Sequence, residues 1–239
     1  MPVLDISIPN GTVRVNSSLI YLQPGATVRR RTGAYEAVVA NSTWGGGALG
    51  GRDGGGPYFL SEGGRKLVAG GCDIQVLLLG ENGNTISTCA AFCPQLADAV
   101  VDHAGGCSGV GCCQASIIVG LASYRFEIRQ LNESWSYSGP VFLGIVSSEV
   151  SFDPLANSFA RALIPAVLDW TISNGTCNGD GSSPECRSSD SFCANSTANG
   201  HDGGHLCHCS PGYDGNPYIP NGCHGTCFIY TIPSAFSNY

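Results

Sequence analysis

Apolar positions along the chain recur mostly at the two-residue spacing of half-buried strands. Residues 3–8 alternate apolar and polar side chains and stop at Pro9-Asn10-Gly11, a turn sequence. Val13-Arg14-Val15 and residues 19–22 follow, closing at Pro24-Gly25. Tyr58-Phe59-Leu60, a turn at Gly63-Gly64 and then residues 66–69 predict a hairpin leading to Cys72. Residues 74–79 form a continuous apolar run of strand length, ended by Gly80 and Asn82-Gly83. Further strand-like runs are residues 115–119, 124–131, 141–146 and 164–172. Two short helices are expected, at 95–101 and 154–163. Residues 44–57 are glycine-rich without periodicity, and 89–113 are cysteine-rich and irregular. The polar, Gly/Ser/Asn-rich segment from residue 173 is the clearest boundary. There is no internal repeat and no heptad. The fold class is mainly β.

Composition narrows the function classes. The 239 residues include 12% charged side chains, against roughly 25% in an ordinary soluble domain. Net charge is −7 and Lys66 is the only lysine, so the chain lacks the basic surface that nucleic-acid binding requires. No stretch reaches the roughly 18 consecutive apolar residues of a membrane-spanning helix. Charge is unevenly distributed, however. Residues 1–71 hold seven basic and four acidic residues, net +3; the remaining 168 hold four basic and 14 acidic, net −10.

Thirteen cysteines, seven of them between Cys177 and Cys227, read as a disulfide framework. Six Asn-x-Ser/Thr sequons, at Asn10, Asn16, Asn41, Asn132, Asn174 and Asn195, point to the same compartment, outside the cell. The alternative is a reduced cytosolic protein with free thiols. The start, Met1-Pro2-Val3-Leu4-Asp5, has no leader-like character, so the chain is expected to be a fragment whose leader is missing. Upstream stand Cys72, Cys89, Cys93, Cys107, Cys112 and Cys113. A Cys112–Cys113 bond would strain its small ring, so each is expected to pair elsewhere. Cys227 is then left over.

The spacing Cys177-x8-Cys186-x6-Cys193-x13-Cys207-x-Cys209-x13-Cys223, with Ser210-Pro211-Gly212-Tyr213, resembles an EGF-like module. Six cysteines by themselves allow 15 connectivities. The resemblance implies Cys177–Cys193, Cys186–Cys207 and Cys209–Cys223. His201, His205, Cys207, His208 and Cys209 invite a zinc reading. The EGF-like pattern already uses both cysteines, and the histidines are then expected in a solvated loop. Calcium is disfavoured because the residues just before Cys177, Ile172-Ser173-Asn174-Gly175-Thr176, include none of the acidic residues of calcium-binding EGF-like modules. No metal or other cofactor is expected.

Several blocks occur in a characteristic order: Gly71-Cys72-Asp73, the Cys89/Cys93 pair, residues 109–117 (GVGCCQASI), residues 165–172 (PAVLDWTI) and residues 207–218 (CHCSPGYDGNPY). Together they resemble the extracellular region of plant wall-associated receptor kinases. The resemblance implies a partial galacturonan-binding domain at 1–93, a wall-associated β domain at 94–172, an EGF-like module at 173–223 and a divergent tail at 224–239. It leaves the chain without the family's kinase, and implies membrane association only through a segment outside it. A cysteine often found just before the strand at Val141 is replaced here by Gly139-Pro140.

The resemblance further implies binding to galacturonan, a polymer with a carboxylate on each sugar. Arginine's planar fork suits carboxylates. Arg29, Arg30 and Arg31 form the only basic run; Arg52, Arg65 and Lys66 lie in the same basic third, as does Arg14. Trp44 and Tyr58, with Tyr35, are candidate platforms for sugar rings. The competing readings are a solvated arginine turn and core aromatics. An extracellular protein partner, bound through the EGF-like module with glycan affinity lost, is the alternative function.

Enzyme readings fare poorly. The glycine-rich loop lacks the lysine and hydroxyl of a phosphate-binding loop. Asp98, Asp102 and His103 have no companion nucleophile motif and read as surface charge. The chain is expected to be non-catalytic.

Overall fold

The computed structural model describes residues 1–22, 43–45, 57–61, 65–93, 107–131, 141–149, 164–172, 175–196 and 204–226. Within them all regular structure is strand. The expected helices at 95–101 and 154–163 lie outside the described residues, as does Cys227.

Twelve strands make three four-stranded sheets around one core. The first sheet, in order, is β1 (Val3–Ser7), β2 (Thr12–Ser17), β12 (Ile164–Trp170) and β5 (Tyr58–Leu60). The second is β4 (Thr43–Gly45), β10 (Ser123–Gln130), β7 (Ile74–Leu79) and β8 (Thr85–Ala91). The third is β3 (Ile20–Leu22), β11 (Val141–Ser147), β6 (Arg65–Gly70) and β9 (Cys112–Ser116). Each sheet takes strands from both sides of residue 93, so segments 1–93 and 94–172 fold together as one β domain. Such long-range pairing between distant segments carries a loop-closure cost.

Strand parity explains the core. On β2, Val13 and Val15 point inward and Thr12, Arg14 and Asn16 outward. On β10, Tyr124, Phe126 and Ile128 enter the core while Arg125, Glu127 and Arg129 face out. The continuous apolar run of β7 reflects burial on both faces: Ile74, Val76 and Leu78 join the core, and Leu77 and Leu79 are buried on the other side. The third sheet also has two covered faces. Leu67 and Ala69 of β6 face the main core, whereas Val68 joins Val146, Ile164, Cys107 and Cys112 in a second cluster.

Three local expectations fail. The hairpin joining Tyr58–Leu60 to residues 66–69 does not form: β5 pairs with β12, and β6 pairs with β11 and β9. Nearby segments were recruited to different sheets because tertiary partners outweigh a local turn. Within the stretch taken as irregular from residue 89, β8 runs on to Ala91, and Trp44 of the glycine-rich segment lies on β4. β1 keeps its expected strand, but Val3, Leu4 and Ile6 stay exposed because it is an edge strand.

Disulfides lock this arrangement. Cys72–Cys93 ties the turn after β6 to the end of β8, Cys89–Cys113 joins β8 to β9 across two sheets, and Cys107–Cys112 closes the approach to β9. Adjacent strand residues face opposite sides. Cys113 therefore enters the main core and Cys112 the second cluster, and each finds its own partner.

The C-terminal module has two small hairpins, β13 (Ser191–Ser196) with β14 (Gly204–Cys209), and β15 (Tyr213–Gly215) with β16 (Cys223–Gly225). Cys177–Cys193, Cys186–Cys207 and Cys209–Cys223 connect it first to third, second to fourth and fifth to sixth. It is docked to the β domain. Ile172 and His205 exchange both backbone hydrogen bonds, at 2.9 and 3.1 Å. Trp170 stacks obliquely on Tyr218, with ring centroids 5.5 Å apart. Gly11 holds φ +62° in the β1–β2 turn, and any Cβ there would meet Leu206 of the module at 2.6 Å.

Chain-entropy arithmetic ranks the upstream bridges. Cys89–Cys113 spans 24 residues and Cys107–Cys112 spans five. Replacing the first pair with alanines is expected to cost about 3.5 kcal/mol and the second about 2.1 kcal/mol. Denaturant unfolding of the two double variants checks the order.

Candidate functional site

The residues expected to meet a glycan separate into three groups. Arg29, Arg30, Arg31 and Arg52, with Tyr35, lie outside the described residues, as do Asp98, Asp102, His103 and the sequons at Asn41, Asn132 and Asn174. Arg65 and Trp44 are buried. Lys66, Tyr58 and Arg14 are partly exposed.

Arg65 is 5% exposed and belongs to the scaffold. It opens β6 with the inward parity of Leu67 and Ala69. Its Nε donates to the Ile117 carbonyl at 2.8 Å and its Nη1 to the Leu60 carbonyl at 2.6 Å. Ile117 follows β9 and Leu60 ends β5, so one guanidinium links two sheets. Beside it the Tyr124 hydroxyl donates to the Val119 carbonyl at 2.5 Å and accepts the Leu121 amide at 2.7 Å. Burial pushes the Tyr124 phenol up to about 12; the Leu121 amide and the Arg65 charge partly oppose that shift. Trp44, 2% exposed, packs near Tyr124, and its indole N–H donates to the Ser17 hydroxyl at 2.9 Å. Neither Arg65 nor Trp44 presents its side chain to an external ligand. Arg65 was legible as inward from its parity with Leu67 and Ala69; three-residue β4 gave Trp44 no such signal.

On the outside, Lys66 lies on β6 opposite Val146 and Ser116. Arg14 on β2 pairs with Glu149 at 2.5 Å, and both side chains are substantially exposed. Tyr58 is half-buried, packed against the core. These side chains line no single cleft defined by the described contacts. Among the sequons, Asn10 and Asn195 are exposed. Asn16 is half-buried, and its Oδ1 accepts the Ile164 amide at 2.9 Å.

A second cluster, missed in the sequence, sits where the module meets the β domain. His205 was expected in a solvated loop but lies on β14, 2% exposed. Its Nδ1 is 3.1 Å from the Gly175 carbonyl, and its Nε2 is 3.0 Å from Ser183 Oγ and 3.4 Å from Glu185 Oε2. The Ser183 hydroxyl donates to Glu185. That bond, chiefly, holds the Glu185 carboxyl below the usual range, with smaller help from its own backbone and His205. In a nucleophile–base relay the carboxylate orients the far imidazole nitrogen. Here a main-chain carbonyl does so, and the carboxylate is on the hydroxyl side. The cluster ties β14 to Gly175 and to the Ser183–Glu185 loop within the C-terminal module and does not activate the serine. Among the described residues no group of His, Cys, Asp and Glu could hold a metal ion.

The module's outer surface carries exposed Phe192, Tyr213 and Ile219. Phe192 lies opposite His208 on the β13–β14 hairpin, ring centroids 5.7 Å apart.

A mainly β, six-disulfide chain with a docked cysteine-rich module defines a class of stapled β protein suited to an oxidising compartment. Comparison with known proteins makes this specific. Wall-associated receptor kinase 1 of Arabidopsis thaliana is 32% identical over 167 residues, 66% of this chain and 22% of that protein. Wall-associated receptor kinases 2 and 3 of the same plant are each 31% identical, over 70% of this chain and 23% and 24% of their own lengths. The chain is a relative of the extracellular region of wall-associated receptor kinases. It spans about a quarter of the length of these curated relatives, and their kinase domain is not covered. No family model matches it, and no solved structure does. Among the described residues no helix is long and apolar enough to cross a membrane.

The buried polar node makes two stability predictions. Arg65→Met strands the Leu60 and Ile117 carbonyls and is expected to cost on the order of 2–4 kcal/mol, whereas Lys66→Met should stay within about 0.5 kcal/mol. Thermal or denaturant unfolding distinguishes them. For Tyr124 the folded phenol holds its proton more tightly than the unfolded one. Its contribution is therefore complete below pH ~10 and is lost as pH rises from there toward ~12. Unfolding between pH 9 and 11 should show this loss in the native chain, with a shallower slope in Tyr124→Phe.

Proposed function

We propose that the chain is a non-catalytic, extracellular binding region for acidic cell-wall polysaccharide, with de-esterified galacturonan as its ligand class. Kinship with the extracellular region of wall-associated receptor kinases carries the reading. Charge supports it: the first 71 residues keep a net +3 in a chain of net −7. With Arg65 committed to the scaffold, the cations left for a uronate are Arg29, Arg30, Arg31, Arg52, Lys66 and Arg14. Guanidinium groups bind carboxylates bidentately, and an exposed pairing of that kind weakens with salt. Sugar stacking would fall to Tyr58 and Tyr35, since Trp44 is in the core.

In this reading the C-terminal segment is an EGF-like module. Its exposed Phe192, Tyr213 and Ile219 favour a second reading, a protein partner docking there with glycan affinity lost. Deleting residues 1–93 cannot separate the two, because it removes strands from all three sheets. Point substitutions can.

Titration calorimetry of the oxidised protein with de-esterified oligogalacturonide is the test. Saturable binding should fall about tenfold in Arg29/Arg30/Arg31→Ala, weaken with added salt and vanish with the methyl-esterified oligomer, while Phe192→Ala leaves it unchanged. No heat from a folded sample overturns the glycan reading.

A further inference from the structure

We propose that the outer face of the second sheet, centred on Arg125, is a binding surface for the carboxylates of the acidic polysaccharide. The inference rests on the galacturonan reading and adds to it a surface outside the basic first third of the chain.

Few of the described cations are open to an external anion. Arg65 is buried, Arg14 holds Glu149 and Arg129 holds Glu127. Arg14 also faces Asp5 across the β1–β2 pair, so its surroundings are already acidic. Lys66 is half-buried between Val146 and Ser116, and Arg187 stands on the C-terminal module. Arg125 differs from all of these. It is exposed, and among the described residues no carboxylate or carbonyl engages its guanidinium. Its Nη2 lies 3.5 Å from the point that a Cβ on Gly83 would occupy, so the side chain reaches past Leu79 to the β7–β8 turn. A guanidinium held at the surface without a counter-ion is the donor that a carboxylate takes bidentately.

Strand parity builds the rest of the face. Ser123, Arg125, Glu127 and Arg129 alternate with the core residues of β10 and point outward together. Thr43 on β4 stands opposite Arg125 on one side; Leu79 on β7, with exposed Thr85 beyond it on β8, stands on the other. Gln75 lies opposite Arg129, and its Nε2 donates to Thr88 Oγ1 at 3.3 Å. Hydroxyl and amide groups of this kind suit sugar hydroxyls, which both donate and accept. Two carboxylates border the face and each has a partner. Glu127 accepts from Arg129 Nε at 2.9 Å, and Glu81 accepts from the Ser123 hydroxyl at 3.4 Å.

The charge distribution singles this face out. After residue 71 the chain holds four basic and 14 acidic residues, and two of the four basic ones stand here on one strand. Most of that acidic surface repels a polyanion, whereas this face admits one. Arg125 and Arg129 are four residues apart, about 14 Å along the strand. A polymer with a carboxylate on each sugar can meet both; a single uronate meets one. Glu127, between them, competes for Arg129.

Titration calorimetry of the whole oxidised chain with de-esterified oligogalacturonide, on the native protein and three single variants, tests the surface. Arg125→Gln should weaken binding about fivefold. Glu127→Gln, which frees Arg129, should tighten it about twofold. Arg187→Gln removes the same charge from the module and should leave affinity unchanged, and denaturant unfolding checks that each variant is folded. Equal affinity of Arg125→Gln and the native chain, an equal loss in Arg187→Gln, or no gain in Glu127→Gln overturns the proposal and leaves the glycan reading in place. No binding by the native chain overturns the reading and the proposal with it.

Discussion

Burial of the Arg65 guanidinium is the constraint around which the β domain closes. The strand ends at Leu60 and Ile117 leave carbonyls inside the protein, away from water, and an unmet buried carbonyl is costly. Arg65 meets both. The Tyr124 hydroxyl does the same for the Val119 carbonyl and accepts the Leu121 amide a few residues away. Together they bind the ends of β5 and β9 to the start of β10, where strands of all three sheets come close. A methionine at position 65 could fill the space but could not donate. Among the described residues the buried basic side chain is thus structural, and its inward parity with Leu67 and Ala69 explains why it is unavailable to a ligand.

Covalent links then fix what hydrogen bonding positions. Cys89–Cys113 bridges two sheets directly, and Cys112, one residue away and on the opposite face, secures the second cluster through Cys107. A fold of short strands with distant partners has a large closure entropy to overcome. The bridges reduce it in the unfolded chain. The C-terminal module is stapled in the same manner, and it extends the β domain's own hydrogen bonding through Ile172 and His205. The composition change at residue 173 therefore marks a change of material, not a free hinge.

For function, the structure redistributes the candidate residues. Relatives among the wall-associated receptor kinases give the extracellular context. A carboxylate-bearing polymer must be met by cations that reach solvent, and Lys66 and Arg14 do so where Arg65 does not. Arg14 already holds Glu149, so an external carboxylate would have to compete with an internal one.

Alternation located β2 and β10, and apolar runs of strand length located β6, β7, β11 and β12, to within a few residues, because a strand buried on one face leaves a period of two and a strand buried on both faces leaves an unbroken run. The strain of the small ring that a Cys112–Cys113 bond would close likewise pointed each cysteine to another partner. The six-cysteine spacing, with the family resemblance, implied the connectivity now seen in the module. The sequence could not show which strands meet: β5 and β6 read as a hairpin, yet β5 pairs with distant β12 and β6 with distant β11 and β9, in different sheets. Nor could it show that Trp44 is core, since a three-residue strand among glycines has no periodicity. His205 looked like a loop residue for the same kind of reason. The carbonyl of Gly175 and the hydroxyl and carboxylate of the Ser183–Glu185 loop come from two segments of the module that only the tertiary structure brings to β14.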